Sequence, residues 1–205
     1  TLDRREALKD ADFVTTQFRV GQLDARIKDE RIPLSHGLIG QETNGAGGLF
    51  KALRTIPVVL DIIKDIKELC SDAWLINFTN PAGIVSEAVF RYTNFKKYIG
   101  LCNVPIGIKN NLAQLLGVDS SRLDMDFAGL NHMVYGLNVK LDGEDITSEA
   151  IVKYIEGNIT MKNIKDIEFN KEFIKALGVI PCPYHRYYYK SADMLESELE
   201  EFKEG

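Results

Sequence analysis

Short apolar segments alternate with helical ones over residues 3–116, and this alternation constrains the fold more than any other feature. Segments with the β-branched and aromatic character of buried strands are "DFVTTQF" (12–18), "AWLINFT" (73–79) and "KKYIGLCN" (96–103). Segments that read as helices are 3–11, 43–69, 81–92 and 105–116. Such alternation is typical of a parallel sheet joined by right-handed crossovers. We therefore predict an α/β fold for this part of the chain.

Polar residues collect where each predicted strand ends. They are Thr15, Thr16, Gln17, Asn77, Thr79, Asn80, Cys102 and Asn103. Open parallel sheets bind ligands at the carboxyl ends of their strands. We therefore expect a ligand site along this edge of the sheet.

The pattern changes after about residue 122. "DMDFAGLNHMVYGLNVKLDGEDIT" (124–147) alternates apolar with polar residues and contains a DG turn at 142–143, which predicts an antiparallel hairpin or meander. Residues 147–178 are expected to be helical, with a polar loop near 157–165. The aromatic segment "PCPYHRYYYK" (181–190) then leads into a final helix at 191–203.

Composition limits the possible partners and compartments. The 205 residues carry a formal net charge of −5, which argues against a nucleic-acid or anionic-membrane partner. There is no apolar run long enough to span a membrane, and the charged first residues do not resemble a signal peptide. Three cysteines without a short-spaced pair do not indicate a disulfide framework, so a reducing cytoplasm fits best.

Cys102 and His132 are open to several interpretations. A thiolate and an imidazole can together hold a soft or borderline divalent metal ion. Spacing alone supports this weakly, and a buried thiol and a structural histidine are the commoner roles. A Cys–His nucleophilic pair is a further alternative, although no protease signature surrounds either residue.

Two arginines and one glutamate are further candidates. Arg19 and Arg26 follow the first strand and can hold a phosphate group or sugar hydroxyls, or form surface salt bridges. Glu42 precedes a predicted helix that Thr43 or Asn44 can cap, and its neighbouring glycines allow close backbone approach. From position alone, Glu42 is more readily a carboxylate favoured by the helix dipole than a partner of a catalytic base.

The segment "PYHRYYY" (183–189) holds four tyrosines. A tyrosine acts as a general base only when a nearby metal ion or cation lowers its pKa far below the usual value. The alternative is an aromatic packing cluster, which is the favoured interpretation for most of the four.

Seven stretches, taken together and in this order, resemble the NAD-dependent family-4 glycoside hydrolases, and in particular the 6-phospho-β-glucosidase branch. They are "VTTQFRVGQLDAR", "IPLSHGLIGQETNGAGG", "ALRTIPV", "INFTNPAGIV", "GLCNVPIG", "FAGLNHMVYG" and "PYHRYYY". The resemblance covers nearly the whole chain. This family is an exception to the usual two-carboxylate scheme of glycosidases.

The resemblance implies a fold and a domain organisation. Residues 1–104 are expected to form the C-terminal part of a Rossmann-like NAD-binding domain. Residues 105–205 are expected to form part of an α+β catalytic and oligomerisation domain of the lactate/malate dehydrogenase-like type. Members begin with a strand and a glycine-rich pyrophosphate loop, and they continue well past residue 205. We therefore expect a middle piece of a longer cytoplasmic homodimer or homotetramer.

The resemblance also implies roles for the cofactor and metal residues. Cys102 and His132 match the pair that binds a divalent metal ion, usually manganese. The strand-end residues of the first two strands match the nicotinamide side of the NAD site. These residues are Thr16, Gln17, Asn77 and Thr79.

Catalytic and substrate-binding roles follow from the same motifs. Tyr184 matches the catalytic base, with Tyr187 as the fallback, and Glu42 matches the carboxylate that sharpens its basicity. The expected substrate-binding residues are Arg26, Asn80, Asn103 and, for the phosphate group, Arg19. Asn103 stands where α-cleaving relatives typically have an acidic aspartate, and this departure resembles the β-specific branch.

The implied reaction is hydrolysis of a phosphorylated β-glucoside, a small-molecule substrate. NAD⁺ takes a hydride from C3 of the sugar, the metal polarises the oxygens at C2 and C3, and Tyr184 removes the acidified proton at C2. The C1 substituent leaves, water adds, and the hydride returns to give glucose 6-phosphate. The alternatives are a malate/lactate-type NAD-dependent 2-hydroxy acid dehydrogenase and an inactive fragment. We expect no turnover from these 205 residues alone.

Overall fold

The computed structural model describes residues 1–157, 159, 161 and 164–204. The chain divides into two compact units. The first is formed by Thr1–Cys102 together with the residues from Glu198 onward, and the second by Asn103–Ser197. The domain boundary expected between residues 104 and 105 remains a prediction.

The first unit is built on a three-stranded parallel sheet. Its strands are β1 (Phe13–Thr16), β2 (Trp74–Asn77) and β3 (Tyr98–Gly100), and they lie in the order β1-β2-β3. Thr16 pairs with Asn77, and Asn77 pairs with Gly100, so the three carboxyl ends meet at one edge. The predicted parallel α/β sheet is confirmed, and the strands are shorter than the apolar segments that predicted them.

One helix precedes the first strand, two helices lie between β1 and β2, and one lies between β2 and β3. They are α1 (Arg4–Ala7), α2 (Gln22–Ser35), α3 (Gly45–Leu69) and α4 (Ala82–Tyr92). The core forms where Val59, Ile63 and Ile66 of α3, each at most 1% exposed, join Leu75 of β2. These residues of α3 follow three- and four-residue steps, and their burial supplies the hydrophobic free energy that holds the helix on the sheet.

Helix α2 was not predicted, because its sequence "QLDARIKDERIPLS" is highly charged and lacks an apolar stripe. Asp29 is 2% exposed and anchors the helix to α3, since its two carboxylate oxygens accept hydrogen bonds from Arg54 at 2.8 and 2.5 Å. A buried bidentate ion pair therefore takes the place of an apolar stripe here. The helix carries Arg26, which contributes to the candidate site.

The second unit begins with α5 (Val104–Leu116), which a 3-10 helix at Ser120–Arg122 follows. The predicted hairpin is confirmed, and its antiparallel strands are β4 (Leu123–Leu130), β5 (Met133–Leu141) and β6 (Glu144–Asp145). The turn between β5 and β6 has positive φ at both Asp142 (52°) and Gly143 (92°), as a type I′ turn requires.

Short elements complete the second unit. They are α6 (Thr147–Gly157), α7 (Lys171–Leu177), β7 (Ile180–Pro181), a 3-10 helix at Pro183–His185, α8 (Arg186–Tyr189) and the start of α9 (Ser191–Glu204). Strand β7 pairs with β5. Four positions of the loop expected near 157–165 lie outside the described residues. In the part of the chain that the structure describes, no helix has both the length and the apolar character needed to span a bilayer.

Candidate active site

A buried polar network closes the carboxyl ends of β1 and β2. The Oδ1 atom of Asn77 accepts hydrogen bonds from Thr16 Oγ1 at 2.8 Å and from the backbone N–H of Thr79 at 3.2 Å. Asn77 Nδ2 donates to the carbonyl oxygen of Thr79 at 3.0 Å. Three of the residues predicted to face the cofactor are thus brought together, and they fix this edge of the sheet. Gln17, the fourth, is exposed beside them.

The ends of β2 and β3 lead directly into two helices. Asn80 is half-buried, and its Oδ1 accepts a hydrogen bond from the backbone N–H of Ala82 at 3.3 Å, at the start of α4. Cys102 lies two residues beyond the end of β3 and is also half-buried. Asn103 holds the N-cap position of α5 with an exposed side chain. All three therefore lie at strand ends, as the sequence predicted.

Glu42 is the centre of a cluster of cations in the first unit. Its Oε2 accepts hydrogen bonds from Arg19 and from Lys51 Nζ, the latter at 2.8 Å. Arg26 Nε lies 3.9 Å from the same oxygen and donates to Glu30 at 2.9 Å. The structure therefore brings the predicted residues Arg19, Arg26 and Glu42 together and adds Lys51, which the sequence analysis did not identify.

The cations determine the protonation state of Glu42. Burial acts to raise the pKa of this carboxyl, but the hydrogen bonds from Arg19 and Lys51 and the positive charges of Lys51 and Arg26 outweigh it, and the pKa falls to about 2. Glu42 is therefore a carboxylate near neutral pH, so it can accept hydrogen bonds but cannot serve as a general acid. In the structure, Arg19, Arg26 and Lys51 surround Glu42. Its position in the sequence alone had favoured a carboxylate stabilised by the helix dipole.

The turn that carries Glu42 is rigidly built. Gln41 Oε1 accepts hydrogen bonds from the backbone N–H and the hydroxyl of Thr43, both at 2.6 Å, and from the N–H of Asn44 at 3.1 Å. A Cβ at Gly47 would lie 2.4 Å from the carbonyl oxygen of Gln41, so the predicted close backbone approach is confirmed. Asn44 is the N-cap residue of α3, but its side chain makes no capping hydrogen bond within the described residues.

The segment before this turn is tied to α9 by a carboxyl group. Glu198 Oε2 accepts a hydrogen bond from the backbone N–H of Gly40 at 2.8 Å. Burial raises the pKa of Glu198 to about 7, against the opposing effect of that hydrogen bond, and Glu30 and Glu201 add to the rise. Because the folded pKa is raised, the fold favours the protonated form, and stability is lost as pH rises from about 4.5 through 7.

Glu198→Gln tests this linkage, since the amide oxygen still accepts from Gly40 while the charge is removed. In the full-length protein we expect the substitution to raise Tm relative to wild type more at pH 8 than at pH 5. Thermal unfolding at the two pH values measures the effect. Glu200→Gln, at an exposed position of the same helix, is the matched control. An equal change of Tm at both pH values for Glu198→Gln would contradict the linkage.

His132 and Tyr184 form a stacked pair in the second unit. Their ring centroids are 3.6 Å apart, their planes differ by 6°, and each residue is 4% exposed. His132 lies in the turn between β4 and β5 with φ of 60°, an uncommon conformation for a residue other than glycine. Tyr184 lies in the 3-10 helix that follows β7. A predicted metal ligand and the predicted base are thus in direct contact.

The other aromatic residues of "PYHRYYY" mostly pack together. The hydroxyls of Tyr135 and Tyr189 are 2.6 Å apart, and the fully buried ring of His185 lies between those of Tyr135 (4.3 Å) and Tyr189 (5.5 Å). The hydrogen bond with Tyr189, together with burial, raises the pKa of Tyr135 to about 12. The packing interpretation therefore describes Tyr189, whereas the ring of Tyr184 faces His132.

Arg186 is a buried residue of this segment to which the sequence analysis gave no role. It is 1% exposed and donates to the carbonyl oxygens of Ile167 at 2.8 Å and Ile159 at 3.2 Å, and to Asp166 at 3.1 Å. These bonds anchor the segment that carries Tyr184 to residues of the connection between α6 and α7. The only sequence feature that could have indicated this anchoring role is an arginine placed among aromatic residues.

The donor set of the predicted metal site is a thiol and an imidazole. Borderline divalent metal ions accept both of these groups, so Cys102 and His132 fit such an ion chemically. Among the residues described, no three His, Cys, Asp or Glu side chains come together to hold a metal ion.

Two protein-family models match the chain and together cover most of it. Residues 1–118 match the model described as family 4 glycosyl hydrolase, and residues 127–205 match the model of its C-terminal domain. The chain belongs to glycosyl hydrolase family 4. The resemblance identified from the seven sequence stretches is therefore confirmed.

Curated relatives of the chain include two bacterial proteins named as 6-phospho-beta-glucosidases. The chain is 65% identical over 202 residues to the probable 6-phospho-beta-glucosidase of Bacillus subtilis, covering 98% of this chain and 46% of that protein. It is 56% identical over 209 residues to the 6-phospho-beta-glucosidase of Escherichia coli, covering 100% of this chain and 46% of that protein. The chain thus spans about half the length of the curated relatives it matches.

The chain also matches solved structures, which include two phosphoglucosidases. The 6-phospho-beta glucosidase from Thermotoga maritima with manganese, NAD⁺ and glucose-6-phosphate matches at a TM-score of 0.86 and 35% identity, covering 96% of this chain and 46% of that one. A 6-phospho-alpha-glucosidase from gut microorganisms in complex with NAD and Mn²⁺ matches at 0.86 and 32%, covering 96% and 48%. A lactate dehydrogenase from Eimeria maxima, at 0.51 and 17% identity over 89% of this chain and 45% of that one, shows a related fold only.

Proposed function

We propose that the full-length protein is an NAD⁺- and divalent-metal-dependent 6-phospho-β-glucosidase that releases glucose 6-phosphate. The observation that carries the proposal is the stacking of Tyr184 on His132 at 3.6 Å, in a family 4 chain. The high identity to relatives named 6-phospho-beta-glucosidase supports the β-linked substrate. We further propose that the enzyme acts in the cytoplasm as a homo-oligomer.

The bound groups supply the chemistry that side chains lack. When bound, NAD⁺ provides a hydride acceptor for C3, and the metal ion polarises the oxygens at C2 and C3. The residues proposed to hold the metal are Cys102 and His132. Those proposed on the nicotinamide side are Thr16, Gln17, Asn77 and Thr79.

Tyr184 is proposed as the base that removes the proton at C2. Its ring lies flat against His132, so the contact fixes the plane of the phenol beside a residue proposed to carry a cation. A nearby cation lowers the pKa of a phenol and lets it accept a proton near neutral pH. Glu42 is proposed to sharpen this basicity, and its low pKa keeps it in the charged form that such a role requires.

The residues proposed to bind the substrate are chosen by their charge and hydrogen-bonding groups. Arg19 and Arg26 are partly exposed guanidinium groups near a half-buried carboxylate, and guanidinium groups suit phosphate oxygens and sugar hydroxyls. Asn80 is proposed to bind the sugar as well. Asn103 has an exposed amide that cannot donate a proton as an acid, which accords with a β-linked rather than an α-linked substrate.

The proposed function is tested by an assay of the full-length protein on p-nitrophenyl β-D-glucoside 6-phosphate. After chelation under reducing conditions, we expect rapid release of p-nitrophenol only when both NAD⁺ and Mn²⁺ are added back. The α-linked isomer serves as the control for anomeric preference and should react more slowly. Full activity that survives chelation would refute the metal-dependent mechanism.

A further inference from the structure

Lys51 is a buried lysine that no part of the proposed mechanism uses. It lies on α3 and is 3% exposed, and its Nζ donates to Glu42 Oε2 at 2.8 Å. Lysine is almost never fully buried unless it is paired, because removing its charge from water is unfavourable. The pairing with Glu42 therefore explains how the fold tolerates this residue.

The three cations around Glu42 differ in their freedom to leave it. The side chain of Lys51 is 4% exposed, whereas those of Arg19 and Arg26 are 30% and 35% exposed. Arg26 also donates to Glu30. An arginine at the solvent boundary can exchange Glu42 for another anion at little cost, but Lys51 would be left as an unpaired buried charge.

The backbone fixes the distance between Lys51 and Glu42. Gly47 and Gly48 precede Lys51 by about one helical turn, and a Cβ at either would lie within 2.5 Å of the segment that carries Glu42. This close approach holds the start of α3 against that segment. The ion pair is thus built into the fold.

We propose that Lys51 is a positioning residue, the permanent counter-ion of Glu42, which frees Arg19 and Arg26 to engage the phosphate group of the substrate. The proposal rests on the proposed function of the site. Without Lys51, Glu42 needs the arginines for charge compensation, and they are no longer available to an incoming anion. Lys51 therefore acts on substrate binding through Glu42, without touching the substrate.

The test uses Lys51→Met in the full-length protein, with Lys64→Met, at an exposed position of the same helix, as the matched control. We expect Lys51→Met to raise KM for p-nitrophenyl β-D-glucoside 6-phosphate by roughly tenfold or more, the effect of one charge-assisted hydrogen bond. The dissociation constant for glucose 6-phosphate, measured by calorimetry, should rise in parallel. Lys51→Arg, which keeps the charge, should restore most of the affinity.

A direct titration separates positioning from a merely structural role. Infrared difference spectra between wild type and Glu42→Gln report the carboxylate of Glu42 without any substrate. Loss of a cation should move its acid midpoint to higher pH in Lys51→Met, even though Arg19 and Arg26 remain. This measurement stays valid if the assay shows no NAD⁺- and Mn²⁺-dependent hydrolysis, so it distinguishes failure of this inference from failure of the proposed function.

The double variant Lys51→Met/Glu42→Gln keeps the test decisive if Lys51→Met does not fold. Removing both partners leaves no unpaired buried charge, so we expect the double variant to fold and the added effect of Lys51→Met on glucose 6-phosphate binding to vanish in the Glu42→Gln background. A further loss of affinity when Lys51→Met is added to Glu42→Gln would overturn the proposal. Wild-type KM and an unshifted Glu42 titration in folded Lys51→Met would also overturn it.

Discussion

Replacing Tyr184 with phenylalanine in the full-length protein is expected to lower kcat by about 10²- to 10⁴-fold, the range that one general base contributes. Phenylalanine keeps the ring that stacks on His132 at 3.6 Å and removes only the phenol oxygen. The fold should therefore be preserved, and KM should change little. Steady-state kinetics with p-nitrophenyl β-D-glucoside 6-phosphate, NAD⁺ and Mn²⁺ measures the effect.

Tyr187→Phe is the matched control for this prediction. Tyr187 belongs to the same segment, and its ring centroid lies 6.1 Å from that of Tyr184. Its substitution is expected to leave kcat near the wild-type value. If Tyr187→Phe abolished turnover while Tyr184→Phe retained it, the base would be Tyr187, and the argument from the stacked pair would be wrong.

Replacing Cys102 with serine is expected to weaken Mn²⁺ binding by about 100-fold or more, beyond the range seen when only a supporting residue of a metal site is lost. A serine hydroxyl is a much poorer ligand than a thiolate at neutral pH. The dissociation constant is measured by calorimetry on the full-length protein with NAD⁺ and glucose 6-phosphate present.

Cys70→Ser provides the control for thiol loss. Cys70 is half-buried like Cys102, and burial raises the pKa of its thiol. Its replacement should leave Mn²⁺ affinity unchanged. Unchanged affinity in Cys102→Ser would remove Cys102 from the metal site.

Much of the fold could be predicted because the signals are local. The apolar residues of α3 recur at helical spacing from Leu49 to Ile66, and the DG pair at 142–143 specifies the turn between β5 and β6. Helix α2 was missed because its contact with α3 is made by Asp29 and Arg54, which lie 25 positions apart. No periodic pattern in a single sequence reports such a pairing.

In the candidate site, too, the features that follow from local sequence could be predicted, and those that depend on tertiary contacts could not. The strand ends that carry Thr16, Asn77 and Cys102 were predicted, since a parallel sheet places them at one edge. The contact between His132 and Tyr184 and the pairing of Lys51 with Glu42 depend on tertiary packing. For Cys102 itself the residues left several roles open, and only the resemblance to family 4 favoured the metal.

We propose that the full-length protein cleaves glycosides through loss of the proton at C2. The most direct test is to let the full-length protein hydrolyse p-nitrophenyl β-D-glucoside 6-phosphate in D₂O with NAD⁺ and Mn²⁺, and to analyse the glucose 6-phosphate by NMR and mass spectrometry. We expect deuterium at C2, because the proton that Tyr184 is proposed to remove is replaced from solvent. Product that retains its original hydrogen at C2 would contradict the proposal, since direct displacement at C1 leaves that bond untouched.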